Sequence, residues 1–409
     1  MTEPTCYKFE NGLRLVHLHK ATDVGHLGFF FRAGSRFEKK NKVGLAHFLE
    51  HCVFKGTQKR NAIQTISRID EVGGELNAYT AKEELCLHAS FPKEYTSRAI
   101  ELLADIAVNP VFPKEELLKE KEIILDEINS YLDSPYEKIF DDFEEDLFKG
   151  HALGNNILGK KEGLNNFRKE DLEQFVKSYF TKDNLVVSYV GEVPFKKVVK
   201  YLDKYLINMP EKCLIDSYDS FLNYKPFDIN RKEANYQAHA IIGGMAPSYK
   251  DDDRIAMTLL MNILGGPALN SSLNILLREK HVLAYGVEAN YVPYADIGFW
   301  QVYVGSESKN LKKSIKLIKR ELKKMQNTNF TEGRLKKAKQ QLKGQMALSM
   351  DSNSGLMHNL GKSFLAFGQI DTIQEIHKSI DEITSIQLKK LANKYMEASQ
   401  ISTLVFNLR

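Results

Sequence analysis

Three polar side chains stand close together in an otherwise apolar stretch of the chain. The stretch is VGLAHFLEHCVF, residues 43–54, and its polar members are His47, Glu50 and His51. Side chains three and four residues apart lie on one face of a helix. A helix that is apolar on nearly all other sides is buried, and buried ionisable groups need partners. We therefore expect a helix whose polar face binds a metal ion.

The order of the motif indicates which metal and which chemistry. Two histidines at positions i and i+4 of a helix can bind one Zn²⁺ through imidazole nitrogens. Glu50 is then available as a general base toward a water molecule rather than as a ligand. His-x-x-Glu-His is the inverted form of the His-Glu-x-x-His motif of zinc proteases. Because so short a motif also arises by chance, the assignment needs a third ligand.

A second predicted helix offers carboxylates for that position. It covers residues 112–131, FPKEELLKEKEIILDEINSY, and its apolar face includes Leu117 and Ile128. Glu120 and Glu127 fall on the same face, two helical turns apart. Catalytic zinc usually has three protein ligands and one open position, and two histidines with one glutamate are a standard set. At this point both glutamates are candidates.

With these residues the sequence resembles the pitrilysin family of zinc peptidases, whose members include insulin-degrading enzymes and the mitochondrial processing peptidase. The segments GLAHFLEHCVFKGT and GGELNAYTAKEE match family segments. The resemblance implies that His47, His51 and Glu127 bind one Zn²⁺ per chain. It also implies that Glu50 is the general base and that Glu120 is a second glutamate near the metal. In length, the chain resembles the half-length bacterial branch of the family.

The elements that must position these residues follow a long internal duplication. Residues 171–190 align with residues 387–406, and residues 112–128 align with residues 330–346. The second copy lacks the ligands, since Gln345 stands opposite Glu127. We predict a zinc-bearing domain over residues 1–206 and a linker over residues 207–227. Residues 228–409 are then a homologous domain without metal ligands.

The order of elements within each copy predicts the fold class. Strand patterns near 5–18, 25–33, 75–80, 85–91 and 184–191 alternate with groups of helices. Such an order is typical of α+β proteins. We expect two homologous domains, each a mostly antiparallel sheet packed against helices, and the family resemblance implies the same architecture.

Two further segments have a role in substrate binding only through the resemblance. It implies that Asn77, Ala78, Tyr79 and Thr80 form a free strand edge, which a peptide joins as an added strand. An ordinary edge strand is the alternative from the residues alone. The family resemblance also implies that Arg278 and Tyr285 hold the substrate and polarise its scissile carbonyl. Without the family, Arg278 is a surface ion-pair residue.

The leading hypothesis is a zinc-dependent endopeptidase that hydrolyses peptides or unfolded segments inside a homodimeric chamber. The alternatives are a catalytically silent core subunit and a processing subunit with a non-identical partner. The chain has no run of 18 apolar residues and no secretory signal pattern, so we expect no membrane interaction. Four cysteines without a paired spacing predict a cytoplasmic location. A net charge of +4 without a basic stripe predicts no nucleic-acid binding.

Overall fold

A computed structural model of the protein describes residues 3–213, 219–221, 223–233 and 236–408. The strands are β1 (Thr5–Lys8), β2 (Arg14–His19), β3 (Val24–Phe31), β4 (Glu75–Thr80), β5 (Leu85–Pro92), β6 (Leu185–Gly191), β7 (Asp228–Glu233), β8 (Ala238–Ala246), β9 (Gly286–Pro293), β10 (Gly298–Ser306) and β11 (Ser402–Leu408). The α-helices are α1 (Leu45–Cys52), α2 (Ala62–Asp70), α3 (Thr96–Val108), α4 (Lys114–Leu132), α5 (Pro135–Leu147), α6 (Lys161–Leu164), α7 (Lys169–Tyr179), α8 (Phe195–Tyr205), α9 (Arg254–Gly265), α10 (Ser308–Asn327), α11 (Glu332–Ser349), α12 (Asn353–Phe367), α13 (Ile373–Glu382) and α14 (Ser385–Tyr395). A π-helical segment covers Asn274–Lys280.

The chain forms two compact units, each with its own sheet. Unit 1 comprises Met1–Asn129, Asn155–Asp219 and Ser349–Ile370, and unit 2 comprises Ser130–Gly154, Ser220–Leu348 and Asp371–Arg409. Each half of the sequence thus gives one helix to the unit formed mainly by the other half: α5 belongs to unit 2, and α12 belongs to unit 1.

The predicted domain limits of 1–206 and 228–409 follow the order of the two copies along the chain and remain a prediction. No helix or strand occurs in the described residues between Tyr205 and Asp228. Residues 214–218 and 222 of the predicted linker lie outside the described residues.

The two sheets share one topology. In unit 1 the strand order is β1-β2-β6-β3-β5-β4, and in unit 2 it is β7-β11-β8-β10-β9. Each sheet has one parallel pair, β2 with β6 and β7 with β11, and its other pairs are antiparallel. Apart from β1, which has no counterpart in unit 2, each strand of the unit 1 sheet has a counterpart at the same place in the unit 2 sheet. The α+β class and the two homologous, mostly antiparallel sheets are therefore confirmed.

The unit 1 sheet is covered on both faces. One face packs against a core to which α1, α3 and α4 contribute, and the other face packs against α12. Gly361 permits the close approach of α12, because a Cβ atom there would lie 2.2 Å from the ring of Phe30. His88 of β5 faces His358 of α12, with ring centroids 4.6 Å apart. His88 therefore lies on the α12 face of the sheet.

Two structural features hold the candidate site. Helix α1 packs in the unit 1 core through Leu45, Phe48 and Leu49, which are all buried. Strand β4 forms the edge of the sheet and pairs with β5 alone among the described strands.

None of the helices in the described ranges combines the length and the apolarity that a bilayer crossing requires.

Candidate metal centre

Helices α1 and α4 bring three potential ligand atoms together. The Nε2 atoms of His47 and His51 lie 3.7 Å and 3.5 Å from Oε2 of Glu127. These distances are too long for hydrogen bonds. A tetrahedral Zn²⁺ with bonds of 2.0–2.2 Å separates its ligand atoms by about 3.3–3.6 Å, so the spacing fits a metal ion between them. Within the described residues this is the one group of three that could hold a metal.

The surroundings of the His47 side chain suit a metal ligand. Its side chain is buried, and its Nδ1 atom has no hydrogen-bond partner among the described residues. Burial, with a smaller effect of the neighbouring His51 charge, lowers the pKa of His47 to about 4. The imidazole is therefore neutral at physiological pH, which is the form that binds metal ions.

Glu120 has a different position from Glu127. Glu120 is buried, and its Oε2 lies 3.0 Å from Nδ1 of His51. Its other oxygen pairs with Lys55 Nζ at 2.6 Å. If His51 donates its Nδ1 proton to Glu120, its Nε2 is free to bind a metal. The side chain of Glu127 is 44% exposed and lies at the open side of the ligand group. The geometry thus favours Glu127 over Glu120 as the third ligand. Lys55, four residues after His51 and beyond the end of α1, was not predicted to contact this site.

Glu50 lies on the same face of α1 as the two histidines and is half-buried. Burial raises the pKa of the Glu50 carboxyl group. The hydroxyl and backbone N–H of Thr80 and the charge of His51 act to lower this pKa, whereas Glu127 raises it. Thr80 therefore faces Glu50. This contact was not predicted, because nothing in the sequence of β4 indicates that its last residue approaches α1.

The other residues of the predicted strand edge have varied environments. Asn77 is exposed, and its Oδ1 accepts a hydrogen bond from the backbone N–H of Ala78 at 2.8 Å. Ala78 is buried. The Tyr79 hydroxyl donates to Glu84 at 2.8 Å, and Lys362 of α12 lies 4.7 Å from the Tyr79 ring. The side chain of Tyr79 is thus engaged with α12, while Asn77 interacts with the backbone of β4.

Arg278 and Tyr285 belong to unit 2, whereas the ligand group and Glu50 belong to unit 1. Arg278 lies in the π-helical segment and donates to Oδ1 of Asn274 at 3.3 Å. Tyr285 is 60% exposed, and its hydroxyl lies 3.4 Å from Glu307. Val282, between the two, has a φ of 49°, which is costly for a β-branched residue. The surrounding structure must therefore hold this segment in place.

Comparison with known proteins places the ligand group in a family. Residues 14–161 match the domain model "Insulinase (Peptidase family M16)", and residues 166–342 match "Peptidase M16 inactive domain". The "uncharacterized zinc protease YmxG" of Bacillus subtilis (strain 168) is 30% identical over 94% of this chain and 93% of its own length. The chain belongs to peptidase family M16. The resemblance found in the sequence is thereby confirmed.

Further proteins match along nearly the whole chain. The probable mitochondrial-processing peptidase subunit beta of Schizosaccharomyces pombe (strain 972 / ATCC 24843) is 28% identical over 96% of this chain and 88% of its own length. The crystal structure of a protease from Helicobacter pylori has a TM-score of 0.90 at 21% identity and covers 100% of both chains. This structural likeness confirms the fold, and the lengths fit the half-length branch of the family.

The second M16 domain has no metal-binding group among its described residues, in agreement with the description of its domain model. By their order in the two units, α9 follows β8 as α1 follows β3, and α11 contains the segment that aligns with α4. Asn262 lies on α9, and Gln345 of α11 stands opposite Glu127. The two side chains form an amide pair, with Asn262 Nδ2 donating to Gln345 Oε1 at 2.7 Å. A direct hydrogen bond thus joins α9 to α11, whereas the side chains of α1 and α4 leave a spacing that a metal ion would fill.

Proposed function

We propose that the protein is a zinc-dependent endopeptidase in which His47, His51 and Glu127 hold one Zn²⁺ per chain. The observation that carries this proposal is the convergence of two imidazole Nε2 atoms and one carboxylate oxygen at 3.5–3.7 Å. The names of the M16 relatives, which are zinc proteases and processing-peptidase subunits, support it.

The residues around this site suit amide hydrolysis. Zn²⁺ bound there would supply Lewis-acid catalysis and make a water molecule more acidic. Glu50 acts as the general base, because its raised pKa brings it nearer to the pH at which it must accept a proton. Thr80 orients the Glu50 carboxylate, and Glu120 orients His51. Glu50 then returns the proton to the leaving amine.

The edge of β4 provides a site for an extended substrate. An added peptide strand is held by main-chain hydrogen bonds, so recognition depends weakly on the peptide sequence. Asn77 now occupies the N–H of Ala78, and its side chain must turn away before a substrate can use that donor. Because the substrate must be extended, we propose that the enzyme acts on peptides and unfolded segments.

Arg278 and Tyr285 complete the proposed machinery by holding the substrate and polarising its scissile carbonyl. We propose that they do so in a homodimer, the arrangement that the half-length chain implies. A partner-dependent processing subunit is the second candidate, favoured by the likeness to a processing-peptidase subunit. A silent subunit is disfavoured by the presence of the full ligand set and Glu50. We propose the cytoplasm as the location, because the buried residues Cys52 and Cys86 are thiols that form no disulfide.

Incubation of the zinc-loaded protein with a mixed peptide library, read by mass spectrometry, tests this function. We expect internal cleavage at many sequences. We also expect a reduced and alkylated protein to be cut much faster than the same protein in its folded form, since only the unfolded chain can add a strand. Protein stripped of zinc by a chelator is the control. Equal rates on the folded and unfolded forms would contradict the proposed substrate class, and a zinc-loaded protein that cuts nothing would favour a silent subunit.

A further inference from the structure

The first turn of α1 is capped by a residue from outside the helix. Its N-cap position is Gly44, which has no side chain to accept a hydrogen bond. The first backbone N–H groups of a helix have no partner within the helix and need an acceptor. The Glu38 carboxylate is that acceptor: Oε2 accepts from the N–H of Gly44 at 2.9 Å, and Oε1 accepts from the N–H of Ala46 at 2.7 Å.

Glu38 is itself held firmly. It is buried and directly follows a 3₁₀ turn, Ser35–Phe37, whose last carbonyl accepts a hydrogen bond from the Tyr179 hydroxyl at 2.9 Å. Burial raises the pKa of the Glu38 carboxyl group to about 8, while the backbone donors and the charge of Lys82 lower it. Both oxygens accept backbone N–H groups, and these donors favour the ionised carboxylate against the effect of burial.

The backbone before α1 leaves little room for another arrangement. Gly44 has a φ of +94°, and a Cβ atom on it would lie 2.8 Å from the Cα of Gly159. A side chain at position 44 is thus excluded both by conformation and by space. The chain therefore cannot supply an ordinary N-cap side chain here, and the cap comes from Glu38.

The position of α1 matters most for His47. Glu120 fixes the orientation of His51, but the Nδ1 atom of His47 has no partner among the described residues. The placement of His47 therefore depends on the helix that carries it. Ala46, whose N–H is bonded to Glu38, immediately precedes His47.

We infer that Glu38 is a positioning residue of the metal centre: its carboxylate holds the first turn of α1 so that His47 lies in register with His51 and Glu127. This inference rests on the proposed zinc site. It assigns to Glu38 a role in metal affinity and not only in folding.

The Glu38→Gln variant tests the inference. Glutamine keeps the size of the side chain but offers one acceptor oxygen and sets an NH₂ group against the other backbone donor. We expect the zinc dissociation constant, measured by competition with a chromophoric chelator, to rise at least about tenfold, in the range seen when outer partners of metal ligands are removed. The visible absorption of the Co²⁺-substituted protein should change, and kcat should fall while KM for a peptide stays nearly constant.

A matched control separates positioning from general loosening of unit 1. Asn61 caps α2 in the same unit, where its Oδ1 accepts from the N–H of Gln64 at 2.9 Å. Asn61→Ala should lower thermal stability but leave zinc affinity and the Co²⁺ spectrum unchanged. Glu38→Asp, which keeps both acceptors on a shorter side chain, should weaken zinc binding measurably but less than Glu38→Gln does. It carries the test if Glu38→Gln does not fold.

The outcomes are distinguishable from a failure of the proposed function. Wild-type zinc affinity and an unchanged Co²⁺ spectrum in the Glu38 variants would overturn the inference, as would an equal loss of zinc affinity in Asn61→Ala. A wild-type protein that binds no zinc would overturn both proposals. A wild-type protein that binds zinc but cleaves no peptide would overturn the proposed activity alone, because the affinity and spectral comparisons do not need turnover.

Discussion

The Glu50→Gln variant should retain one zinc per chain and lose peptide hydrolysis. Glutamine has nearly the same shape as glutamate but cannot accept the proton, and the ligand atoms of His47, His51 and Glu127 are untouched. General-base catalysis contributes about 10²- to 10⁴-fold to enzyme rates, so we expect a fall in kcat of that order. Steady-state kinetics on a fluorogenic peptide, with zinc content measured on the same sample, checks the result.

His47→Ala is the matched control for the Glu50 experiment. It removes a buried ligand and should abolish both zinc binding and activity, so that the two variants differ in metal content while both are inactive. The assignment of Glu50 as the general base would be wrong if zinc-loaded Glu50→Gln kept turnover within about tenfold of the wild type.

Mixing two variants that are each weak alone should restore activity if the proposed site is shared between subunits. Glu50 belongs to unit 1 and Tyr285 to unit 2. The family resemblance implies that the last domain of full-length relatives faces the zinc-bearing first domain. In a dimer of half-length chains, the facing domain would belong to the partner chain. A mixed dimer of Glu50→Gln and Tyr285→Phe chains then contains one site with both intact residues. Random exchange of a two-fold dimer should give about a quarter of the wild-type sites.

Tyr285→Phe suits this test because the change should not disturb the fold. Tyr285 is exposed, and its hydroxyl makes one long contact of 3.4 Å with Glu307. Differently tagged chains allow the mixed dimer to be isolated and its activity compared with that of each parent. A verified mixed dimer that is no more active than its parents would reject the shared site. Isolation of a stable monomer with full activity would reject the homodimer itself.

The candidate ligand residues of this protein can be predicted from the sequence more readily than the residues that hold them in place. The His47–His51 spacing and the carboxylates on α4 can be found from helical periodicity, because ligands must lie on one face. The geometry favours Glu127 over Glu120 as the third ligand, since Glu120 instead contacts His51 Nδ1 and Lys55. Periodicity places both glutamates on one face and cannot measure which one reaches the Nε2 atoms.

Only part of the fold, likewise, can be predicted from the sequence. The duplication predicts two sheets of one topology, but it does not predict that α12 covers the unit 1 sheet while α5 joins unit 2. Each sheet face is apolar and needs a cover, and many apolar helices in the chain could serve. The contact of Thr80 with Glu50 and the cap that Glu38 places on α1 were not predicted for a similar reason. Each contact joins residues that share no helix or strand, and residue type alone does not reveal such contacts.

The zinc content of Glu127→Gln and Glu120→Gln tests the central claim most directly, because it asks which atoms bind the metal. Both variants change one carboxylate of α4 to an amide of the same size. We expect wild-type protein to bind one zinc per chain and Glu127→Gln to bind almost none under the same conditions. Glu120→Gln should still bind one zinc, with affinity lowered about 10- to 100-fold by the loss of the partner that orients His51. Full zinc binding by Glu127→Gln, with loss in Glu120→Gln, would contradict the proposed centre.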